Sequence, residues 1–141
     1  MKLLLVSHGN FCHGIKESYE MIAGKNDNII AINLGEDGIG NFSEKLNKKL
    51  DELTKTDKVL VLTDIQGGTP YNETLRYQLA NPGKIEIVSG MNLPMVIESG
   101  MSLATEDCVT ALARNAEQTG KDAIIYSEVS LEEDEDDDLD F

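Results

Sequence analysis

Hydrophobic residues in this chain fall alternately into short continuous runs and into helical periodicities. A short apolar run bounded by turn residues predicts a buried strand, and apolar residues three or four positions apart predict an amphipathic helix. Four strands are predicted at 2–7, 28–33, 58–64 and 84–90, and a fifth at 122–130. Helices are predicted at 11–24, 42–53, 69–80, 91–103 and 105–120.

The alternation of strands with helices predicts an α/β fold. We expect an open, mainly parallel, doubly wound sheet with helices on both faces, because parallel strands are joined by right-handed crossovers. Folds of this kind bind ligands beyond the carboxyl ends of their strands. Residues that directly follow a strand are therefore the first candidates for chemistry.

Helix starts are marked by capping residues. Asn41 followed by Glu44 three positions later forms a capping-box pattern. Thr69 is the expected N-cap of the third helix, with Pro70 in the first helical position. Asn92 is the expected cap of the fourth helix.

Composition predicts one domain with an aliphatic core. The chain has 141 residues, of which 40% are hydrophobic and 5% aromatic, and no tryptophan. Its net charge is −14, but nine carboxylates and no base lie from position 128 to the end, which leaves −5 on the rest. We therefore divide the chain into a folded domain, 1–128, and an acidic tail, 129–141, which we expect to be disordered and solvated.

The same features argue against several classes of function. The negative charge argues against binding of nucleic acid or of an anionic membrane surface. No apolar run approaches the roughly 20 residues of a membrane-spanning helix, and the N-terminal apolar run is too short for a signal peptide. We expect a cytoplasmic protein with no cofactor and no metal site, since Cys12 and Cys108 are widely spaced.

Candidate chemistry lies at the ends of the first and third strands. His8 follows the first strand, and Asp64 ends the third. A carboxylate bound to one ring N–H fixes the tautomer of a histidine and leaves the other nitrogen free to attack. Gly67, Gly68 and the hydroxyl of Thr69 come next and provide donors for an anion at a helix N-terminus. The pattern predicts a phosphate site beside a nucleophilic histidine.

Three further residues lie close to this predicted site in the sequence. Gly9 leads into the first helix, whose N-terminus offers a second positive dipole end. We interpret His13 as a surface residue and Cys12 as a helix-packing residue, since neither directly ends a strand.

Three segments together resemble a known family. "LLLVSHG…ESYEMIAG", "VLVLTDIQGGTPYNETLR" and "IEIVSGMNLPMVIE" are similar to the IIA domain of the mannose class of the bacterial sugar phosphotransferase system, over residues 2–126. The resemblance implies that His8 accepts a phosphoryl group from phospho-HPr and passes it to a histidine of a IIB protein. It also implies that Asp64 hydrogen-bonds His8 and that Thr69 lies near the phosphoryl group.

The resemblance carries further expectations about partners. Family members are dimers that exchange their last strand, here 122–130. Many relatives continue into a IIB domain, whereas this chain continues into its acidic tail, so we expect a separate IIB protein and, through it, the IIC and IID membrane permease. We expect the rim around His8 that contacts the partner proteins, called the partner rim, to be formed by Phe11, Met91, Asn92 and Leu93. Met95 is a further candidate.

Other functions remain open at this stage. A IIA-like subunit of a dihydroxyacetone kinase phosphorelay would have the same fold, and a non-enzymatic regulator could use His8 only as a switch. A response regulator is disfavoured, because its Mg²⁺ site needs an acidic pair after the first strand. A dinucleotide-binding site is disfavoured too, because no G-x-G-x-x-G follows a strand.

Overall fold

The structure, a computed structural model, describes residues 1–130. The expectation of a disordered acidic tail falls mostly on residues 131–141, which lie outside the described residues. Within residues 1–130, four strands and three helices alternate up to β4, and two successive helices follow. The strands are β1 (Lys2–His8), β2 (Ile29–Leu34), β3 (Val59–Thr63) and β4 (Ile85–Ser89). The helices are α1 (Phe11–Ala23), α2 (Gly38–Leu53), α3 (Thr69–Ala80), α4 (Leu93–Ser102) and α5 (Val109–Asp122).

All four strands form one parallel sheet in the order β2-β1-β3-β4. Leu3 to Val6 of β1 and Val59 to Leu62 of β3 have no exposed surface, as expected for strands covered on both faces. The predicted parallel α/β fold is confirmed. Because β1 and β3 are neighbours, the residues that follow them lie side by side at the carboxyl edge of the sheet.

Helices cover both faces of the sheet. On one face Leu3, Leu5, Leu60 and Leu62 pack against α1, α4 and α5. On the other face alternate residues of the same strands pack against α2 and α3. The two cores follow from the two-residue period of the strands, which sends successive side chains to opposite faces.

Helix α2 begins earlier than its sequence predicts. Asp37 precedes its first residue, and the Asn41 side chain donates back to the Asp37 carbonyl oxygen over 2.9 Å, so the predicted cap at Asn41 is wrong. Glycine in a helix costs only about 1 kcal/mol. Burial of Phe42 and Leu46 outweighs that cost and carries the helix through Gly38 and Gly40. The predicted cap at Asn92 is confirmed, since its side chain accepts the Met95 N–H over 3.1 Å.

The predicted last strand is wrong within this chain. Helix α5 starts later than predicted and runs on to Asp122, and residues 123–130 have no regular secondary structure. Ile124, Ile125 and Tyr126 are 78–86% exposed. A strand requires a neighbour for its backbone groups, and no described strand pairs with this segment. Exchange of the segment with a second copy stays a prediction.

Thr63 carries a buried hydroxyl without a hydrogen-bond partner among the described residues. We expect Thr63→Val to raise the free energy of unfolding by about 1 kcal/mol, because valine has the same shape and removes the unpaired group. Urea unfolding measures the change as a higher midpoint at constant slope.

Thr74→Val is the matched control for that substitution. Thr74 is also fully buried, but its hydroxyl donates to the Pro70 carbonyl oxygen over 2.7 Å. We expect the control to lose stability. Equal losses for Thr63→Val and Thr74→Val would contradict the prediction.

Candidate functional site

His8 and Asp64 lie in direct contact at the carboxyl edge of the sheet. One carboxylate oxygen, Oδ2 of Asp64, accepts the backbone N–H of His8 over 2.9 Å and lies 2.7 Å from its ring Nδ1. The same oxygen therefore binds the main chain and the side chain of one residue. This double contact fixes the position of the ring as well as its orientation.

The second carboxylate oxygen of Asp64 is also satisfied. Its Oδ1 accepts the N–H of Ile65 over 2.9 Å. Burial favours the neutral acid, but the hydrogen bonds from the His8 backbone, the His8 ring and Ile65 outweigh it and lower the pKa of Asp64 below its usual value. The carboxylate therefore stays charged near neutral pH.

The imidazole of His8 has one nitrogen held and one nitrogen open. A carboxylate accepts hydrogen bonds, so Nδ1 carries the ring proton and Nε2 has the free lone pair. No described residue hydrogen-bonds Nε2. The side chain of His8 is 49% exposed, whereas that of Asp64 is 16% exposed. Nε2 is therefore the ring nitrogen that can act as a nucleophile toward a group in solution.

The turn between β3 and α3 faces this ring. Gly67 has φ +83°, a conformation that L side chains rarely adopt. A Cβ on Gly68 would lie 2.8 Å from Cε1 of His8 and 3.1 Å from Cγ2 of Ile65. Glycine at this position lets the backbone approach the ring closely.

Thr69 is the first residue of α3 and not its cap. Gly68 holds the N-cap position in an extended conformation, so the prediction of a Thr69 cap is wrong. Pro70 comes second in the helix, since the glycine turn ends one residue earlier than a threonine cap would require. The Thr69 hydroxyl is consequently not tied to the helix in the described structure, and the N–H groups of Thr69 and Tyr71 have no intrahelical acceptor.

Gly9 does not offer its amide to a ligand. Its N–H donates to the Leu34 carbonyl oxygen over 2.8 Å. One N–H in the first turn of α1 is taken as well, because the Cys12 N–H donates to the buried Ser7 hydroxyl over 2.8 Å. Sequence reasoning did not assign Ser7 a role, and no residue pattern marks this contact. The Gly9 and Cys12 amides are thus taken, whereas α3 begins with N–H groups that have no intrahelical acceptor.

The four residues expected at the partner rim line one groove. Phe11, Met91, Asn92 and Leu93 surround a cavity of about 560 Å³ between α1 and the start of α4. Phe11 is 48% exposed, but Met91 is almost fully buried and forms the floor. Met95 lies in the core. Ile65, which sequence reasoning did not single out, adds an exposed apolar side chain next to Asp64.

His13 lies apart from the His8–Asp64 pair. Its Nε2 lies 2.9 Å from the amide oxygen of Asn33, at the end of β2. Cys12 is buried, and burial raises the pKa of its thiol. Within residues 1–130, no group of three or more His, Cys, Asp or Glu side chains is placed to hold a metal ion. None of the helices in the same range has the length and apolarity to cross a membrane.

Asp64→Asn should alter how stability depends on pH. A carboxyl group whose folded-state pKa is lowered stabilises the fold above its unfolded pKa, near 3.8, and loses that contribution as pH falls through the folded value. We therefore expect wild type to exceed Asp64→Asn in stability at neutral pH and the difference to shrink below pH 3.8. Urea unfolding of both proteins across this range measures it. A difference that stays constant or grows in acid contradicts the assignment.

Comparisons with known proteins identify a family and several relatives that this chain resembles. The family described as "PTS system fructose IIA component" (EIIA-man) matches residues 2–117. The fructose-specific EIIA component of Bacillus subtilis (strain 168) is 34% identical over 99 residues, which are 70% of this chain and 67% of the relative. The mannose-specific EIIAB component of Escherichia coli (strain K12) is 28% identical over 86% of this chain, which spans 38% of that longer protein.

Solved structures give the same result. The phosphotransferase system component EIIA from Streptococcus agalactiae superposes with a TM-score of 0.81 at 30% identity, over 89% of this chain and 95% of that one. The mannose/sorbose specific IIA subunit from Enterococcus faecalis superposes with a TM-score of 0.78 at 31% identity, over 92% and 96% of the two chains.

Proposed function

We propose that this chain carries a phosphoryl group on Nε2 of His8, because it belongs to the EIIA-man family. This family comprises the mannose-class IIA components of the sugar phosphotransferase system. The observation that supports this most strongly is the pairing of Nδ1 with Asp64, which leaves Nε2 unpaired and exposed. The donor is phospho-HPr and the acceptor is a separate IIB protein.

Transfer exchanges one nitrogen–phosphorus bond for another. Nε2 of His8 attacks the phosphorus of the donor phosphohistidine, the donor N–P bond breaks, and the donor ring leaves with the bonding electron pair. The proton on Nδ1 of His8 stays in its hydrogen bond to Asp64, which offsets the positive charge that develops on the ring. In the second transfer, the acceptor histidine of IIB attacks the phosphorus on Nε2 of His8. The N–P bond to His8 then breaks, and the His8 ring leaves with the bonding electron pair.

Charge on the moving phosphoryl group is stabilised by backbone donors. The start of α3 lies beside the ring, since a Cβ on Gly68 would stand 3.5 Å from Nε2 of His8. The Gly68 N–H donates to the Ile65 carbonyl oxygen over 3.4 Å, so we assign the N–H groups of Thr69 and Tyr71 to the phosphoryl oxygens. The hydroxyl of Thr69 adds one donor. Because the transition state is loose, positioning and electrostatic stabilisation supply most of the catalysis.

The partner proteins dock around His8 at the carboxyl edge. Phe11 and Ile65 provide exposed apolar side chains and Leu93 a half-buried one, and we assign HPr and IIB to this surface in turn. Through IIB the protein serves the IIC/IID permease, so we place it in the cytoplasm with peripheral association at the membrane.

Residues 1–128 form the phosphocarrier domain and residues 129–141 its acidic tail. The exposed apolar side chains of Ile124, Ile125 and Tyr126 are assigned to strand exchange with a second copy at the outer edge of β4, which among the described strands pairs with β3 alone. We expect a dimer by sedimentation at micromolar concentration. Changing Ile125 and Tyr126 to Ser should yield a folded monomer, and an unchanged dimer would contradict this assignment.

A reconstituted relay tests the function. The protein is incubated with phosphoenolpyruvate, enzyme I and HPr, and acid-labile phosphate is mapped by mass spectrometry. We expect one phosphate on His8 that is discharged by a IIB protein. Phosphate at any other residue, or none after HPr is charged, rejects the proposal. Discharge to a dihydroxyacetone kinase subunit instead of IIB would assign the protein to that phosphorelay.

A further inference from the structure

The glycine turn between β3 and α3, residues 65–68, has few contacts of its own. Glycine populates positive and negative φ with similar ease, so the consecutive Gly67 and Gly68 leave this backbone several conformers. Within the turn, the Gly68 N–H reaches the Ile65 carbonyl oxygen over 3.4 Å, which is longer than the usual range for such a bond. The close approach of Gly68 to His8 therefore depends on contacts made by other residues.

One residue of α3, Asn72, contacts both glycines. Its side-chain Nδ2 donates to the Gly67 carbonyl oxygen over 3.0 Å, and its backbone N–H donates to the Gly68 carbonyl oxygen over 2.9 Å. No other side chain in the described part of the chain binds either oxygen. The two peptide units that follow these glycines are thus both fixed to the first turn of α3.

Holding the carbonyl groups also sets the direction of the amides. In a trans peptide unit the N–H points away from the C=O in the same plane. Because the Gly68 carbonyl points into α3, the Thr69 N–H points out beyond the start of the helix, where the proposed function assigns it to a phosphoryl oxygen. Released from Asn72, the Gly67 carbonyl would be free to rotate, and a carbonyl oxygen near the phosphoryl group would oppose transfer.

We propose that Asn72 is a positioning residue for phosphoryl transfer, which holds the glycine turn against the His8 ring. The inference rests on the proposed function, because it concerns the same site. Asn72 is exposed, so its side chain adds little to the core. Its backbone bond would be made by any residue except proline. The side-chain amide is therefore what asparagine adds at this position, and its contact is with the turn.

Single-turnover transfer from phospho-HPr to Asn72→Ala tests this role. We expect the rate at saturating donor to fall about tenfold, the order of effect of one hydrogen bond, because the turn no longer keeps its donors in place. The donor concentration at half saturation should stay near the wild-type value, since the partner rim is unchanged. The urea midpoint should also stay close, because the higher helix propensity of alanine offsets the loss of an exposed hydrogen bond.

Asn81→Ala is the matched control on the same helix. Asn81 follows the last residue of α3, and its Nδ2 donates to the Tyr77 carbonyl oxygen over 3.0 Å, the same distance as in the Asn72 contact. This bond lies at the end of α3 opposite to His8, so we expect unchanged transfer. A loss equal to that of Asn72→Ala would assign both effects to the stability of α3 and overturn the inference.

Backbone ¹⁵N relaxation of the unphosphorylated protein reports on the turn without any transfer. A rigid backbone has order parameters of about 0.85, and a flexible one has values below about 0.6. We expect the Gly67 and Gly68 amides to move from the first range toward the second in Asn72→Ala and to stay rigid in Asn81→Ala.

Three further results would overturn the inference. Unchanged order parameters in Asn72→Ala would show that the turn is rigid without the side-chain amide. Equal transfer rates for Asn72→Ala and wild type would show that holding the turn does not affect the reaction, and would leave the proposed function intact. A wild type that takes up no phosphate on His8 would instead reject the proposed function, and this role with it.

Discussion

His8→Ala is expected to lose phosphate uptake from phospho-HPr by at least about 10³-fold, because the nucleophile that forms the covalent intermediate is removed. The fold should persist, since the ring is half exposed and lies at the rim of the sheet. Incorporation of ³²P from labelled phosphoenolpyruvate, in the presence of enzyme I and HPr, measures the loss. Circular dichroism and urea unfolding verify that the variant is folded.

His13→Ala is the matched control, because the chain has only two histidines. The His13 ring contacts Asn33, at the end of the neighbouring strand, and not Asp64. We expect uptake close to that of wild type. Full uptake by His8→Ala together with loss in His13→Ala would move the site to α1.

Gly68→Ala is expected to slow phosphoryl transfer by about 10²-fold, the loss that a displacement of about 1 Å from productive geometry can cause. The new methyl group would lie 2.8 Å from Cε1 of His8, closer than real contacts allow. Since Asp64 holds Nδ1, the ring can escape only by rotating away from the α3 terminus or by stretching that bond. Single-turnover transfer from phospho-HPr, measured by rapid quench, reports the rate.

Gly40→Ala is the control for Gly68→Ala. A Cβ on Gly40, in the first turn of α2, would meet no atom within 4 Å, so transfer should be unaffected. A change in the chemical shift of the His8 Cε1 proton, relative to wild type, in Gly68→Ala but not in Gly40→Ala would connect the slower rate to displacement of the ring. Equal rates for Gly68→Ala and wild type would show that the close approach is not needed.

The sheet and the central pair were predictable because each rests on a strong local signal. The continuous apolar runs of β1 and β3 indicate strands buried on both faces, and such strands lie side by side in the middle of a parallel sheet. His8 and Asp64 follow those runs directly. Parallel topology alone then brings their side chains to one edge, and the 2.7 Å contact follows from that placement.

Features that depend on competition between partners were not predictable. Whether Gly9 offers its amide to a ligand depends on the Leu34 carbonyl of the neighbouring strand, which takes it. Whether α3 starts at Thr69 or one residue later depends on the φ and ψ of Gly68, which no residue pattern fixes. The apolar alternation around Ile124 and Tyr126 suggests a strand, but strand formation needs a partner outside the sequence segment itself.

If His8 carries the phosphoryl group as proposed, the oxygen of Asp64 that holds both its backbone and its ring selects between two regioisomers. Phosphohistidine exists with phosphorus on the nitrogen near the main chain or on the remote one. The near nitrogen, Nδ1, is hydrogen-bonded to the Asp64 carboxylate, so phosphorylation at Nδ1 would require this hydrogen bond to break. Only the remote, or tele, isomer is compatible with the intact contact, and ³¹P–¹⁵N couplings distinguish the two forms directly.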